Sequence, residues 1–553
     1  SGQAEDRYVL EETRIYKLYR GMMLPLLRKP SRLVLALGGV VVLLVGSVGL
    51  FAFRTVSVKM LPFDDKNELQ VIVDMPEGTP LERTLALTQD LAAATMTVPE
   101  VADIQLYAGT AAPFNFNGMI RHYYLRSGHH VADLQVNLIG KGERSAQSHD
   151  VALAIRPIVD SIAAASGTGA SVKVVEVPPG PPVLSTLVAE VYGPDEETRM
   201  AHASDIREKF AGHPSVVDID WSPAEPRTEL RYEVDADRAA LAGVDKAHVV
   251  GALRVGLGGA VATHLSAPEA RTAVPVRVRL DRAARSRADD LADLRVMSAS
   301  GRAVPVSELT RTIEAEAPQV IDRKNGQRVV YVTAEVAGEA ESPVYAILDL
   351  RDEIETTQLF TAQPESTAEP SMRWDGEWTI TYEVFRDLGI AFAGALVLIY
   401  VLIVAWFGSF VTPLVMMAAI PLTLVGIAPG HVIFGSFFTA TSMIGMIALA
   451  GIMVRNGILL LDYLEARREQ GVDLETAVLE AGAVRTRPIA LTAGTVVIGA
   501  VVILFDPIFQ GLAVALITGA IASTVLTLIV VPGLYFLLRR GSDDTPTPAP
   551  QEA

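Results

Sequence analysis

Apolar positions follow two regimes along this chain. Residues 33–53 contain no charge; residues 54–387 are largely polar with short alternating stretches; and long apolar runs return at 388–407, 411–433, 439–461, 488–505 and 511–538. About 20 apolar residues suffice to cross a ~30 Å hydrocarbon core, so these six runs predict six transmembrane helices. The short segments before residue 33, between 464 and 488 (Arg467, Arg468, Arg485, Arg487) and after 538 hold the Lys and Arg, whereas 429–436 and 506–510 hold none. That asymmetry predicts both termini on the cytoplasmic side and the long polar loop outside. Residues 1–32 include the mixed-charge run EETRIYKLYRGMMLPLL, read as a cytoplasmic amphipathic segment, and residues 539–553 read as a disordered cytoplasmic tail.

The polar loop has an order of its own. Residues 69–74 alternate as a strand, and Thr79-Pro80-Leu81-Glu82 reads as a capping box opening a helix to about Val98. Strands at 101–107 and 132–139, a helix at 149–165 and a strand at 171–177 complete a βαββαβ order, the split βαβ (ferredoxin-like) pattern. The run PPGPP at 178–182 is a stiff spacer. A second copy runs through 187–192, 196–212 and 216–221, and resumes at 328–336, 344–354 and near Met372. The roughly hundred residues between its halves, rich in short strands and turns, read as an insertion rather than a third domain.

Composition narrows the chemistry. The chain has 553 residues, a net charge of -17 and no cysteine. Thiolate catalysis and disulfides are thereby excluded, and nothing resembles the basic surface a nucleic-acid binder needs. No P-loop, G-x-S-x-G or H-E-x-x-H motif is present, and the one adjacent histidine pair, His129-His130, falls in an expected loop, read as solvated rather than metal-binding. No enzyme activity, cofactor or metal site is expected.

The conspicuous polar groups lie in the apolar run 439–461. Sixteen residues at ~1.5 Å rise place Arg455 about 24 Å along a helix, and Asn456 follows it. A charge at that depth costs at least roughly 2.5 to 3.5 kcal/mol unless it is answered. Asp462 shares a helix face with Arg455 but is about 10 Å away along the axis. Arginine does not give up its proton, so Arg455 is expected to be a fixed counter-charge to titrating carboxylates on another chain or segment. The bland alternative is that Arg455 snorkels to the membrane surface.

The stretches WFGSFVTPLVMMAAIPLTLVG (406–426), ALAGIMVRNGILLLDYLEARR (448–468), VRTRPIALTAG (484–494) and STVLTLIVVPGLY (523–535) resemble the last membrane helices of resistance-nodulation-division (RND) efflux permeases of the acriflavin-resistance type. The run MLPFDDKNELQVIVDMPEGTPLERT (60–84) is similar to the entry into their second periplasmic loop. The resemblance implies the C-terminal half of a twelve-helix pump. Its expected parts are porter subdomains at 54–184 and at 185–230 with 323–380, a docking insert at 231–322, and five transmembrane helices within 388–538.

The resemblance also implies a proton relay in which Arg455 stands where the family has lysine, with Asn456 beside it and Arg485 and Thr492 in supporting positions. The substitution of arginine keeps the charge but presents a planar fork that does not deprotonate. The loop APFNFNGMIRHYYLR (112–126) resembles the family's switch loop, with Phe114, Phe116, Met119 and Tyr123 offering apolar contacts to substrate. The alternative there is a core hairpin with two buried aromatics. The expected function is proton-driven export of hydrophobic or amphiphilic compounds from the inner membrane or periplasm. Expected partners are the lipid bilayer, a separate N-terminal half, a trimer of the complete permease, a periplasmic adaptor and an outer-membrane channel, with no nucleic acid. Heavy-metal efflux and a non-transport accessory role in the envelope or in protein export are the alternatives; Met96, Met119, Met200 and Met297 show no pairing pattern in the sequence.

Overall fold

The computed structural model describes residues 11–540 apart from 12, 178, 179, 181, 292 and 338–340. The tail expectation at 541–553 and most of the PPGPP spacer lie outside the described residues. The chain divides into two compact units, residues 1–222 with 322–553, and residues 223–321.

The first unit begins with α1 (Arg14–Leu27) and α2 (Pro30–Ala52). Next come β1 (Glu68–Asp74), α3 (Leu81–Thr95), β2 (Val101–Thr110), the short α4 (Phe116–Ile120), β3 (Ser127–Leu138), α5 (Ser148–Ala165) and β4 (Ser171–Val175). The strands pair in the order β2-β3-β1-β4, all antiparallel. Alternation along β1 sends Leu69, Val71 and Val73 into a core with Leu87 and Leu91 of α3 and Ile155 and Val159 of α5. The helix α3 starts at Leu81 with Pro80 as its cap and no side-chain capping bond. Thr79 does not cap it: the left-handed turn at Gly78 draws its hydroxyl back onto the Pro76 carbonyl at 2.5 Å. His129 and His130 lie in β3, not in a loop, because the strand begins at Ser127.

A second βαββαβ set follows with β5 (Leu187–Tyr192), α6 (Glu196–Gly212) and β6 (Val216–Trp221). Its strands surround a core of Phe210, Ile347, Trp374 and the inward residues of β5, with Phe210 and Trp374 stacked at 6.0 Å.

Between the halves of this set lies the second unit. It holds β7 (Thr228–Val234), α7 (Ala236–Leu241), α8 (Lys246–Gly258), β8 (Ala260–Leu265), β9 (Val274–Val278), β10 (Arg295–Met297), β11 (Ala303–Pro305), α9 (Val306–Leu309) and β12 (Thr310–Glu316). Three antiparallel pairs, β7–β12, β8–β9 and β10–β11, frame a core of its own that includes Val249, Leu253, Leu291 and Leu309.

The chain re-enters the first unit through β13 (Arg323–Lys324) and β14 (Gln327–Arg328), then β15 (Val330–Val336), α10 (Pro343–Leu350), β16 (Thr357–Leu359) and β17 (Ser371–Gly376). The completed sheet has the order β16-β17-β5-β15-β6. Without the short β16 this is the same order as in the first set, so residues 223–321 occupy the β–β connection that carries α4 in the first set.

The apolar helices are α11 (Glu377–Phe407), α12 (Thr412–Met417), α13 (Leu424–Phe434), α14 (Ala440–Glu469), α15 (Leu474–Val501) and α16 (Gln510–Arg539). Five are long and apolar enough to cross a membrane among the described residues: α2, α11, α12 with α13 taken together as Thr412–Phe434, α14 and α16. Of the run 488–505, read as the fourth of the five later spans, residues 488–501 belong to α15, which starts at Leu474 and passes through Arg485, Arg487 and Pro488. Those two arginines leave only a short uncharged stretch before the helix ends at Val501. The run 411–433 is interrupted by a 3-10 turn at Pro421–Thr423, where proline has no N–H to continue the helix. The helix α11 begins eleven residues before the apolar run at 388.

Glycine sets the close approaches among these helices. A Cβ on Gly426 or Gly430 of α13 would overlap Thr518 of α16, and one on Gly482 of α15 would overlap the ring of Tyr19. The helix α1 turns Tyr16, Tyr19, Met23 and Leu27 into this packing, and Tyr19 donates to the carbonyl of Leu528 at 2.8 Å.

Candidate functional site

Arg455 stands near the middle of α14 on an exposed face, and among the described residues no carboxylate is within ion-pair distance of it. Asn456, one residue on, turns into the helix packing and is 3% exposed. Arg485 and Thr492 sit on the neighbouring α15, seven residues apart and therefore on one face. The Arg485 guanidinium lies 5.5 Å from the centre of the Tyr463 ring of α14, and its buried Nε has no hydrogen-bond partner among the described residues. Thr492 Oγ1 donates to the Pro488 carbonyl at 3.0 Å. The structure thus brings Arg485 to α14 at Tyr463, with no hydrogen bond among the described residues linking it to Arg455 or Asn456.

The loop at residues 112–126 is anchored by charge and exposed in between. Asp133 of β3, 1% exposed, holds both ends: its Oδ2 accepts from the Ala112 amide at 2.8 Å and its Oδ1 from Arg126. Arg126 also reaches Asp74 of β1, and Arg121 pairs with Glu335 of β15, which accepts in addition from Ser185 and Thr186. Burial pushes the Glu335 carboxyl up, but Arg121 and the two hydroxyls outweigh it and hold it below its ordinary range. Burial is the largest effect at Asp133 as well, and there it prevails over Arg126 and the Ala112 amide, leaving that carboxyl raised.

Between these anchors Phe114 is 78% exposed, and Phe116, Met119, Tyr124 and Leu125 are exposed too. Asn115 caps α4 by accepting from Gly118 N at 2.7 Å, which projects Phe114 and Phe116 on either side of the cap. Tyr123 is half-buried beneath the Arg126 guanidinium. The core-hairpin alternative does not hold, because both phenylalanines face outward.

Three polar side chains here carry no sequence pattern. Arg121 and Arg126 meet partners up to 214 residues away, so nothing local marks them. His431, the one titratable side chain in the apolar run 411–433, is 1% exposed in α13; its Nδ1 is 2.8 Å from the Ile427 carbonyl and its Nε2 2.9 Å from Ser442 Oγ.

Near it lies a cavity of about 330 Å³, lined by Pro62, Phe63, His149, Glu341, Ser436 and Thr439 among others. At its wall His149 bridges Glu176 at 2.8 Å and Glu341 at 3.0 Å and stacks on Phe63 at 4.6 Å. Burial disfavours the charged ring, but the two carboxylates outweigh it, and its pKa is pushed up to about 9.

The sequence profile of the AcrB/AcrD/AcrF family matches residues 10–539. The swarming motility protein SwrC of Bacillus subtilis (strain 168) is 30% identical over 259 residues, 45% of this chain and 24% of that protein. The cobalt-zinc-cadmium resistance protein CzcA of Cupriavidus metallidurans is 27% identical over 373 residues, 66% of this chain and 34% of that protein. The multidrug resistance protein MdtC of Erwinia amylovora is 24% identical over 358 residues, 62% and 34% of the two chains. A crystal structure of a heavy metal efflux pump superposes with a TM-score of 0.78 at 22% identity, covering 95% of this chain and 52% of that one. The chain therefore spans about half of the solved pump and a quarter to a third of these curated relatives, and at this identity the superposition speaks for the fold alone. With the profile spanning nearly every residue, the chain belongs to the AcrB/AcrD/AcrF family of RND permeases.

Proposed function

We propose that this chain is the C-terminal half of a proton-driven RND efflux permease of the inner membrane, exporting hydrophobic or amphiphilic compounds. The observation that carries this reading is Arg455: a permanent cation near the middle of a membrane helix, on an exposed face, with no carboxylate of the described residues near it. A cation so placed needs an anionic partner in the completed membrane domain. Titrating carboxylates on the N-terminal half would supply it, attracting Arg455 when ionised and releasing it when protonated. Asn456, Arg485 and Thr492 would support that exchange from α14 and α15.

In this reading α15 is the sixth transmembrane helix, both termini are cytoplasmic, and the two βαββαβ sets are periplasmic porter subdomains. Residues 223–321 are the docking portion toward an outer-membrane channel, reached with an adaptor, and the complete permease is a trimer. Phe114, Phe116 and Met119 offer cargo an adaptable apolar surface on a loop whose ends are fixed by buried ion pairs.

Likeness to CzcA favours a second reading, metal-ion cargo. Met96 caps the C-terminal end of α3, and Met119, Met200 and Met297 stand on α4, α6 and β10, one to each element.

The test is export by the complete permease, co-expressed with its other half, of an amphiphilic dye and of divalent metal ions. Arg455→Met is expected to abolish export while the protein remains inserted in the membrane. Normal export by that variant overturns the counter-charge reading, and export of metal ions alone moves the cargo to the second reading.

A further inference from the structure

We propose that His431 is a proton-binding site of the membrane helices, loaded from the cavity beside it through Thr439 and Ser442. The inference deepens the proton-driven reading and rests on it for its use in transport. The chain of contacts stands apart from that reading.

Hydrogen-bond directions around His431 are fixed by what each atom can do. The Ile427 carbonyl only accepts, so Nδ1, 2.8 Å away, carries the hydrogen. In the neutral ring Nε2 then accepts from the Ser442 hydroxyl at 2.9 Å. Thr441 Oγ1 donates to the Ile508 carbonyl at 3.1 Å, which leaves it to accept from the Thr439 hydroxyl at 2.8 Å. Thr439 and Ser442 hydroxyls are 3.2 Å apart, and Thr439 lines the cavity. Gly511 of α16 keeps this end tight, since a Cβ there would overlap both hydroxyls.

The arrangement has a second consistent state. A proton reaching Thr439 Oγ1 from the cavity passes to Ser442 Oγ, and Ser442 gives its own to Nε2. Each hydroxyl ends with one hydrogen and the ring gains one positive charge. The imidazolium then donates from Nε2 to Ser442 Oγ, and the Ser442 hydroxyl turns to donate to Thr439 Oγ1. No heavy atom has to move, so the step costs only hydroxyl rotations and the placing of the charge.

Histidine is the side chain whose ordinary titration falls between pH 5 and 8. The elements packed on His431 supply no competing charge. Between residues 33 and 52 α2 has none, α12 and the 3-10 turn have none, α14 has none before Arg455, and α16 has only Tyr535 before Arg539. The helix α11 reaches the site through Phe385, packed on Phe438, which in turn packs on the His431 ring at 5.5 Å; its Glu383 is exposed and its Arg386 pairs with Asp387. The titratable groups lining the cavity are His149 and Glu341, and Lys59 lies 5.3 Å from the ring centre of Phe437.

The test uses the full chain with nitrogen-15-labelled histidine in lipid vesicles and reads ring protonation by solid-state NMR, with His431→Gln identifying the signal. The expected result is a neutral ring protonated at Nδ1 that gains a second N–H as the pH on the cavity side is lowered toward 5. Thr439→Val with Ser442→Ala is expected to slow that response at least tenfold, and Thr439→Ser to retain it. A ring that stays neutral at every pH, or one that responds equally fast without the two hydroxyls or to the opposite side alone, overturns the proposal. Should the double variant fail to insert, the wild-type titration and its sidedness still decide. The readout needs neither the partner half nor cargo: failure here leaves the Arg455 reading standing, and normal export by Arg455→Met leaves this site standing.

Discussion

Single side chains in this protein gain their meaning from partners far along the chain. His149 joins α5 to Glu341 just ahead of α10 and to Glu176 after β4, tying the two βαββαβ sets together beside the cavity. Its pKa is pushed up to about 9 from an ordinary 6.5. The raised value means that its stabilisation is complete below about pH 6.5 and is lost as pH rises through about 9. Glu341 contributes in the opposite sense: burial raises its pKa, but His149 and Lys59 outweigh that and hold it below 4.5. Its share is present above that value and lost as pH falls through the lower one. The wild-type melting temperature is therefore expected to fall between pH 6.5 and 9 more steeply than that of His149→Gln, measured by tryptophan fluorescence; equal slopes would remove the latch. Arg455 was legible in the sequence because lipid exposes a misplaced charge to simple counting. The pairs Arg121–Glu335 and Arg126–Asp74 were not, since the first meets only after both sheets have formed and the second only once β1 has paired with β3.

At the scale of elements, local signals worked where capping and alternation agreed. The segment from β5 through β6 is bounded as read, with Asp195 accepting from Thr198 N at 2.8 Å to start α6. They failed where a charge or proline falls inside a helix that neighbours hold together. Pro488 and two arginines interrupt the apolar run of α15, yet the helix continues because α14, α16 and α1 pack on it. Gly482 is the contact point for α1. Gly482→Leu is expected to displace the Tyr19 ring, break its hydrogen bond to Leu528 and cost about 1–3 kcal/mol as an overpacked contact. Limited proteolysis within 14–27 should accelerate in that variant and return toward wild type when Tyr19→Ala is added. An unchanged cleavage rate would mean that α1 is held elsewhere.

For the whole molecule, the two βαββαβ sets share a strand order but differ in what fills one β–β connection. In the second set β6 and β15 pair directly, Trp221 opposite Val332, with Ser222 N donating to the Tyr331 carbonyl at 2.9 Å. The sheet thus closes without help from residues 223–321, which carry a separate core. Joining Ser222 to Asp322 through a short turn is expected to leave the remaining protein folded, membrane-inserted and cooperative in melting. Aggregation of that shortened chain, or loss of the Trp374 emission characteristic of a buried indole, would show that the sheet depends on the inserted unit.

The order of apolar runs and alternating stretches, read by itself, determined where most helices and strands of the two βαββαβ sets fall and singled out Arg455 as a charge in need of a partner. Periodicity and hydropathy are local properties, carried by neighbours within one or two helical turns. Tertiary structure alone decided the strand order, the ion pairs that pin the 112–126 loop and the enclosure of His431 between Ile427 and Ser442. Each of those depends on groups brought together from separate segments, where burial makes an unanswered charge or hydrogen bond costly enough to select one arrangement.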